Sequence, residues 1–483
     1  MRDMVLVLNY DNTASRAITR KLRSERIFCK IVPGNTALES IQAQEPLGLL
    51  LAGGVTGQTP SGLDARIASA GIPILALGDA AGMLLEALGG QVGEPVLQGA
   101  VMELSCQESP LLEGVESGER LLPCARELQL PPGVKPLCSA QETVIGFAHE
   151  SQPLYGMQFE VEQNDPEGSM MMRNFAFNIC GCTAWWDEEA FVGRATEEIN
   201  RLVGSGRAVC AMTGGLDSGV SAMLAHKALG GRLKCIFVDT GLLREREGDD
   251  FIAYYRDEAG MDITRVNAGD RFLTALKGIT KAEEKRRVII ETIREILREE
   301  EAKLGEFSAV IRGTSCNDLL FGRQPFVPAI GGDVPLIEPL RDLFKEEIRA
   351  IAEFLGMPQD IISRQPFPGS GLALRILGEV TEDRLRTLRA ADAIFQSELI
   401  RSSAAKRLWQ YFAVLLPLPE NEREYAICLR AVHASERSQS YAARLPYDVM
   451  ENVVDLILRD LPQVRRMVYD LTPSANYAGV EWQ

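Results

Sequence analysis

The chain lacks the spacing patterns of a zinc site and of a disulfide framework. Its ten cysteines are scattered without a C-x-x-C pair, and its 483 residues include only three histidines, His149, His226 and His433. Zinc sites and small disulfide-rich domains both need closely grouped ligands or cysteines, so neither class fits this composition. Thiols without a pairing framework favour a reducing compartment.

Long apolar runs and an excess of positive charge are also missing. No stretch approaches the ~20 residues that span a bilayer, and the N-terminal MRDMVLVLNYDN has no cleavage site for a signal peptide. The 51 basic residues face 67 acidic ones, giving a formal charge of −16. A field of that sign repels nucleic acid and anionic membranes. We therefore expect a cytoplasmic protein with no nucleic-acid partner and no membrane partner.

What the chain does contain is the composition of a large globular α/β protein. Apolar residues make up 46% and charged residues 24%, and at ~150 residues a domain the length allows about three domains. Short apolar runs alternate with amphipathic stretches, which is typical of parallel strands buried on both faces. Breaks in this pattern predict domains at 1–186, 187–364 and 365–483.

The sharpest motif lies between a predicted strand, 207–212, and a predicted helix, 218–229. It consists of Thr213, Gly214, Gly215, Leu216, Asp217, Ser218 and Gly219. Its glycines allow close approach to a phosphate, and the helix N-terminus offers free N–H groups. The hydroxyls add donors, whereas Asp217 suits either Mg²⁺ or a helix cap. No G-K-[ST] follows, so this is not a Walker loop. Two interpretations of this loop are equally favoured by the motif alone. One is a phosphate-binding site, and the other is a helix start that happens to be rich in glycine.

The next predicted strand adds a carboxylate at the same edge of the sheet. It ends at Asp239, and Gly241 follows in Phe237-Val-Asp-Thr-Gly-Leu-Leu-Arg244. In open α/β sheets ligands bind at the carboxyl ends of strands, and an acidic residue there suits a ribose or adenine contact. Together the two motifs favour a nucleotide site.

Both motifs resemble those of a known family. Thr-Gly-Gly-Leu-Asp-Ser-Gly is similar to the S-G-G-x-D-S-[SG] loop of N-type ATP pyrophosphatases, and Phe-Val-Asp-x-Gly-Leu-Leu-Arg is similar to GMP synthetases. Segments 336–345 and 366–379 add further matches, in an order and spacing that hold across nearly the whole chain. The sequence therefore resembles the glutamine-hydrolysing GMP synthetase family.

The resemblance implies an α/β architecture in three parts: an amidotransferase-like α/β domain, an ATP pyrophosphatase domain with a parallel sheet, and an α+β domain that pairs two subunits as a homodimer.

The resemblance also implies ATP and Mg²⁺ as cofactors, with Mg²⁺ at Asp217. In the family, the 2-oxygen of XMP attacks the α-phosphate of ATP, pyrophosphate leaves, and ammonia displaces AMP to give GMP. The implied catalytic residues are Asp217, Ser218, Asp318 and Lys345. The implied nucleotide-binding residues are Thr213, Gly214, Gly215, Leu216, Asp217, Ser218, Gly219, Asp239, Gly241 and Arg375.

The amidotransferase-like part departs from the family at its catalytic triad. The family's G-I-C-Y-G-M reads Gly78-Asp-Ala80-Ala-Gly-Met83, so the nucleophile position is Ala80. The family's G-x-Q-F-H-P-E reads Gly156-Met-Gln-Phe-Glu160-Val-Glu162, so the base is replaced by Glu160 and only Glu162 has a counterpart. Because a triad acts as a unit, this domain is expected to keep its fold without hydrolysing glutamine.

The acceptor side is altered as well. The family's G-T-x-Y-P-D-x-I-E-S reads Gly313-Thr-Ser-Cys-Asn-Asp318-Leu-Leu-Phe321-Gly, segment 324–332 has lost its basic residues, and a lid at 472–478 lacks its lysine. Fewer cations weaken binding of a phosphate dianion, since charge-assisted contacts are the strong ones. Three hypotheses stay open: an ammonia-dependent GMP synthetase, an enzyme that adenylates a different acceptor, and a non-catalytic nucleotide-binding paralogue. We favour an ATP-dependent ligase acting on XMP or a related small molecule.

Overall fold

The computed structural model describes residues 3–115, 118–159, 161, 165–320, 331–365, 367–418, 421–434 and 440–473. They fall into two compact units, Met1–Phe191 and Val192–Gln483. Five sequence-based predictions concern positions outside the described residues: Glu160, Glu162, Phe321, segment 324–330 and the lid beyond residue 473. The predicted domain boundaries at residues 186/187 and 364/365 stay a prediction.

The first unit contains ten strands and four α-helices among its described residues. They are β1 (Val5–Asn9), α1 (Asn12–Ser24), β2 (Cys29–Pro33), α2 (Leu38–Gln42), β3 (Gly48–Ala52), β4 (Ile74–Leu77), α3 (Ala80–Ala87), β5 (Gln91–Glu103), β6 (Ser105–Cys106), β7 (Glu119–Gln129), β8 (Val134–Ala140), β9 (Thr143–His149), β10 (Leu154–Met157) and α4 (Pro166–Arg173). A 3-10 helix covers Ala65–Ser69, and a π-helix continues α4 over Asn174–Ile179.

Eight of these strands form one sheet in the order β2-β1-β3-β4-β10-β9-β8-β6. The first five positions pair in parallel and the last three antiparallel. Strand β3 is buried along its whole length, as expected for a parallel strand covered on both faces. Strands β5 and β7 form a separate antiparallel pair. The predicted α/β class is confirmed for this unit.

Two cysteines of the first unit are joined. Cys106 of β6 and Cys138 of β8 are direct cross-strand partners and form a disulfide, and the other eight cysteines are free and buried. This pairing corrects the expectation of unpaired thiols. The two residues are 32 apart in sequence, so sheet register, rather than spacing along the chain, brings them together.

From residue 188 onward the described chain adds nine strands and ten α-helices. They are α5 (Glu188–Val203), β11 (Ala208–Met212), α6 (Leu216–Leu229), β12 (Leu233–Asp239), α7 (Glu247–Ile252), β13 (Ile263–Asn267), α8 (Gly269–Ala275), α9 (Ala282–Leu304), β14 (Ala309–Ile311), α10 (Cys316–Leu320), β15 (Leu336–Ile337), α11 (Lys345–Phe354), α12 (Gln359–Ile362), α13 (Glu382–Arg401), β16 (Gln410–Leu418), β17 (Asn421–Ala434), β18 (Ser440–Ala442), α14 (Tyr447–Asp460) and β19 (Val464–Tyr469).

The second unit holds a parallel sheet in the order β13-β12-β11-β14-β15. The chain runs outward from β11 through β12 and β13, and then continues on the other side of β11 with β14 and β15. The strand order therefore reverses beside β11. In open α/β sheets the crevice at such a switch point, outside the carboxyl ends of the strands, is where ligands bind.

A second, mixed sheet lies towards the C-terminus. Strand β17 pairs antiparallel with β16 and β18 and parallel with β19. Helix α13 packs on it, and Phe395 of α13 belongs to the same buried apolar cluster as Val209 of β11 and Leu415 of β16. The two sheets of this unit therefore share one continuous core. Within the described parts of both units, no helix is long and apolar enough to cross a membrane.

Candidate nucleotide-binding site

The loop after β11 is built by glycine conformation and by its own hydroxyls. Gly214 has a φ of +82°, a value that favours glycine, and α6 begins directly afterwards at Leu216. Ser218 Oγ donates to Gly215 O at 2.9 Å, accepts from Thr213 N at 3.2 Å and lies 3.1 Å from Thr213 Oγ1. These bonds hold the loop in one shape, with the N-terminus of α6 at the switch point.

Asp217 lies in the first turn of α6 and forms an ion pair with Lys345, the first residue of α11. The N-cap position is Gly215, and no side chain caps the helix there. The alternative prediction that Asp217 caps the helix is therefore wrong, since its side chain reaches a different helix. Burial raises the pKa of Asp217, an effect that Lys345 opposes. Asp217 Oδ1 is buried and accepts no hydrogen bond from the described residues.

The loop after β14 packs directly on the start of α6. A Cβ on Gly313 would lie 2.6 Å from Ser218 N and 2.7 Å from Asp217 O, so only glycine fits this approach. Asp318 Oδ2 accepts from Ser315 N at 2.9 Å and from Ser315 Oγ at 2.7 Å. These bonds stabilise the loop after β14. The negative charge of Asp318 also helps to raise the pKa of Asp217. The structure brings Asp217, Ser218, Lys345 and Asp318 close together, and their catalytic roles stay a prediction.

Glu338, just after β15, anchors the same loop. Its Oε1 accepts from Thr314 Oγ1 at 2.5 Å and from Arg312 at 2.7 Å, and its Oε2 accepts from Arg341 at 2.5 Å. Burial acts to raise the pKa of Glu338, but the hydrogen bonds from Thr314 and Arg312 outweigh it and hold the pKa below its usual value. The sequence motif 336–341 contains this residue, yet its pattern gave no sign that Glu338 holds the neighbouring loop.

Asp239 ends β12 and is engaged on both carboxylate oxygens. Oδ1 accepts from Gly241 N at 3.0 Å, which forms the turn, and Gly241 has a φ of +69°. Oδ2 forms an ion pair with Arg265 of the adjacent strand β13 at 2.5 Å. Arg265 is half-buried and also binds Asp249 at 2.7 Å. Nothing in the motif pointed to Arg265, because the pairing depends on the register of two neighbouring strands.

Arg375 ends the 3-10 helix Gly371–Arg375. It is fully buried, its guanidinium lies 4.1 Å from the ring centroid of Phe412 and 5.1 Å from that of Phe367, and Asp392 is 3.9 Å away. Burial lowers the pKa of Arg375 to about 9. Arg244 and Glu247, in the segment that follows the Asp239 turn, also act on the pKa of Arg375. The role of Arg375 in nucleotide binding stays a prediction.

In the first unit, the strand–turn–helix around Ala80 is intact. Ala80 is fully buried and begins α3, and Gly78 before it has a φ of +62°. A Cβ on Gly53 would overlap Ala80 N, and one on Gly78 would overlap the carbonyls of Gly53 and Gly54. The side chain of Asp79 accepts from Thr56 N at 2.7 Å, which ties this turn to the loop after β3. The turn keeps its packing with a methyl group at the nucleophile position.

Three family models match the chain. Glutamine amidotransferase class-I matches residues 6–179, NAD synthase matches 191–404, and GMP synthase C terminal domain matches 397–482. Together with the parallel sheet and its glycine loop, these matches define a protein that joins an amidotransferase-like domain to an ATP pyrophosphatase domain.

Curated relatives extend the match over the full length. The GMP synthase (glutamine-hydrolyzing) of Clostridium perfringens is 37% identical over 510 residues, covering 100% of both chains. The enzyme of the same name from Clostridium novyi is 36% identical, covering 100% of this chain and 99% of the relative, and one from Clostridium botulinum is 36% identical over 100% of both. The chain belongs to the GMP synthase family.

Proposed function

We propose that the chain is an ATP-dependent carbon–nitrogen ligase of the GMP synthase type. It cleaves ATP to AMP and pyrophosphate, activates XMP or a related small molecule, and aminates that acceptor with ammonia. The observation that carries this proposal is the Asp217–Lys345 ion pair at the N-terminus of α6, beside the turn of Asp239. A cation, a carboxylate and the N–H groups of a helix start there share the switch point of a parallel sheet.

In the proposed reaction, an acceptor oxygen bonds to the α-phosphorus of ATP while the bond to the bridging oxygen breaks, and pyrophosphate leaves with that electron pair. Ammonia then attacks the activated carbon and AMP leaves. The Gly214 amide suits a phosphate oxygen, whereas the Gly215 amide donates to Thr213 Oγ1 at 3.3 Å. The Lys345 ammonium suits charge that develops on the leaving group. The hydroxyls of Thr213 and Ser218 hold the loop in shape.

Magnesium fits one position in this arrangement. Asp217 Oδ1 is buried and accepts no hydrogen bond from the described residues, as expected of an oxygen that binds a cation. The described part of the chain has no group of three or more carboxylate, histidine or cysteine side chains that could hold a metal alone. Mg²⁺ commonly binds through one or two carboxylates, with substrate phosphates and water completing its shell. When bound, it would neutralise the departing pyrophosphate.

The nitrogen source in this proposal is free ammonia. Ala80 carries no nucleophile, and Glu160 replaces the histidine base of the family, so the covalent route to glutamate is lost. The preserved turn around Ala80 supports a domain that keeps its fold without the glutaminase reaction.

A second candidate is the same chemistry on an acceptor without a phosphate dianion. One observation favours it: Arg312 is the one cation in segment 312–320, and Glu338 binds it. A cation already paired with a carboxylate gives less attraction to a dianion than a free one. A third reading, a non-catalytic nucleotide-binding paralogue, shares the binding site but predicts no turnover.

A homodimer is also proposed, through the C-terminal region. Tyr447 is 76% exposed and Leu471 is 70% exposed, and Leu458 and Val468 add further exposed apolar surface in the same region. All four lie in the segment that matches the GMP synthase C terminal domain, the part that the resemblance assigns to subunit pairing. Light scattering on the purified chain tests it, since a mass of one subunit would contradict the dimer.

The test of the activity is release of AMP and pyrophosphate from Mg-ATP with XMP and ammonium, with XMP and glutamine, and without an acceptor. Turnover with ammonium but not with glutamine is the expected result. Mg-ATP binding without XMP-dependent turnover would favour a different acceptor. A chain that does not bind Mg-ATP would overturn both ligase readings.

A further inference from the structure

The turn that presents Asp239 is held in place by the C-terminal part of the second unit. Three consecutive carbonyls of this turn accept hydrogen bonds from residues beyond 365. Arg389 Nη2 donates to Gly241 O at 2.6 Å, Leu372 N donates to Leu242 O at 2.8 Å, and Arg389 Nε donates to Leu243 O at 2.9 Å. The backbone after β12 is therefore shaped by a helix that lies 146 residues further along the chain.

We infer that Arg389 is a positioning residue for the nucleotide site. Its planar guanidinium donates from two different nitrogens to the two carbonyls that flank Leu242, a geometry that suits the fixed fork of arginine. The inference rests on the proposed function, because it assumes that the Asp239–Gly241 turn contacts the nucleotide.

The turn is also restrained from within its own segment and from β13, because Leu242 N donates to Thr240 Oγ1 at 3.2 Å and Arg265 pairs with Asp239 at 2.5 Å. Asp239 Oδ1 accepts from Gly241 N, and Ala268 N donates to Asp239 O at 2.9 Å. Gly241 itself sits so close to Gly269 that an added Cβ would lie 2.8 Å from Gly269 Cα. These contacts fix the start of the turn, whereas Arg389 fixes its far side.

The 3-10 helix Gly371–Arg375 completes the support. Gly371 has a φ of +63°, and a Cβ there would lie 2.8 Å from the Cβ of Leu242, so the chain approaches the turn closely. Lys285 of α9, in turn, holds this 3-10 helix by donating to Ala373 O at 3.2 Å and to Ile376 O at 2.6 Å. The position of Asp239 thus depends on contacts from α9, α13 and the 3-10 helix.

Helix α13 offers a matched control for Arg389. Arg386 lies one turn earlier, its side chain is 72% exposed, and it pairs with Asp383 of the same helix at 2.8 Å. Replacing Arg386 removes the same charge from the same helix without touching the turn. Any difference between the two variants therefore reports the contacts with Gly241 and Leu243, and not the net charge.

The experiment is calorimetric titration of the full chain with a non-hydrolysable Mg-ATP analogue, together with a thermal melt of each variant. Arg389→Ala is expected to raise the Kd about tenfold, the equivalent of one lost hydrogen bond to a charged group. Arg389→Lys, which keeps the charge but has a single donor nitrogen in place of the two that bind the turn, is expected to give a Kd between those of wild type and Arg389→Ala. Arg386→Ala is expected to match wild type.

Two outcomes would overturn the inference, and they are distinguishable. Wild type and Arg389→Ala could bind the analogue equally well at a temperature where both are folded. Arg389 would then connect α13 to the segment after β12 without positioning the nucleotide site. If wild type does not bind the analogue, the proposed function itself fails. Arg389→Lys serves as the folded variant should Arg389→Ala not fold, and wild-type affinity in Arg389→Lys would then contradict the inference.

Discussion

Gly219 and Tyr255 are packed so closely that a Cβ added to Gly219 would overlap the Tyr255 hydroxyl. Gly219 is the last residue of the loop motif, and Tyr255 is buried beneath α6. Gly219→Ala is expected to destabilise the second unit by about 1–3 kcal/mol, the usual cost of inserting a methyl group into a filled core. Urea denaturation of the full chain measures this change.

The control for Gly219→Ala lies in another helix. A Cβ on Gly193 of α5 would meet nothing within 4 Å, so Gly193→Ala is expected to be neutral or to stabilise by about 0.5–1 kcal/mol through helix propensity. Tyr255→Phe, combined with Gly219→Ala, is expected to recover part of the lost stability. Equal stability of Gly219→Ala and wild type would contradict the packing seen here.

Asp217 and Lys345 are expected to act as one unit in ATP cleavage. Asp217→Asn removes the proposed Mg²⁺ ligand, and Lys345→Met removes the cation beside it, so each is expected to lower the rate about 10²–10³-fold. The double variant is expected to lose little more than either single variant, because both groups serve the same phosphates. Pyrophosphate release under saturating Mg-ATP measures all three.

The Asp217→Asn variant is expected to stay folded. Burial raises the pKa of Asp217, so the ionised carboxylate lowers the stability of the fold at pH values above the ordinary pKa of an aspartate. The neutral Asn side chain removes this cost. The melting temperature of Asp217→Asn is therefore expected to lie within a few degrees of that of wild type. Glu353→Gln, on the exposed side of α11, is the matched control and is expected to retain full activity. Purely additive losses in Asp217→Asn and Lys345→Met would argue against a shared role.

Lys285 is expected to make stability depend on alkaline pH. It is 1% exposed, and burial, assisted by Arg384, lowers its pKa from 10.5 to about 8. Between these two pH values the unfolded chain binds a proton that the folded chain has released, so the free energy of unfolding rises with pH. The gain is at most about 3 kcal/mol over the window.

This pH dependence is measured by urea denaturation from pH 7.5 to 10, as the difference between wild type and Lys285→Met. The difference removes the contribution of tyrosines and cysteines that titrate in the same range. Lys277→Met, which changes an exposed lysine, is expected to keep the wild-type slope. A wild-type slope in Lys285→Met would mean that another group causes the rise.

Ala80→Cys is expected not to restore glutamine hydrolysis. The substitution returns a thiol to the turn, but Glu160 stands where the family has its base, and a triad without its base loses nearly all of its rate. Glutamate release from glutamine is the measurement. Ala87→Cys, at the other end of α3, controls for a reactive thiol, and release by Ala80→Cys well above that control would contradict the prediction.

The sequence predicted the parts of the site that a local pattern encodes. The loop 213–219 and the Asp239–Gly241 turn follow from the change from strand to helix periodicity and from glycines at positions of positive φ. Asp217, Ser218, Asp318 and Lys345 lie close together because they follow neighbouring parallel strands, whose carboxyl ends meet at one sheet edge. Their catalytic roles stay a prediction.

The parts that were missed are contacts between distant segments. Arg265 of β13 pairs with Asp239 of the adjacent strand β12. Arg389 donates to the carbonyl of Gly241, 148 residues earlier in the chain. Glu338 pairs with both Arg312 and Arg341 beside the loop after β14. Arginine and glutamate are common on protein surfaces, so their presence in a sequence says nothing about such partners. Sheet register and helix docking decide them, as they decide the pairing of Cys106 with Cys138.

The tight turn around Ala80 separates two kinds of constraint. Gly53 and Gly78 have no space for a side chain because backbone atoms fill it, whereas position 80 needs only a group small enough for its buried setting. Folding alone therefore requires both glycines, whether or not the domain hydrolyses glutamine. The glycines of such a turn therefore report on the fold, whereas the identity of residue 80 bears on the chemistry that the domain can perform.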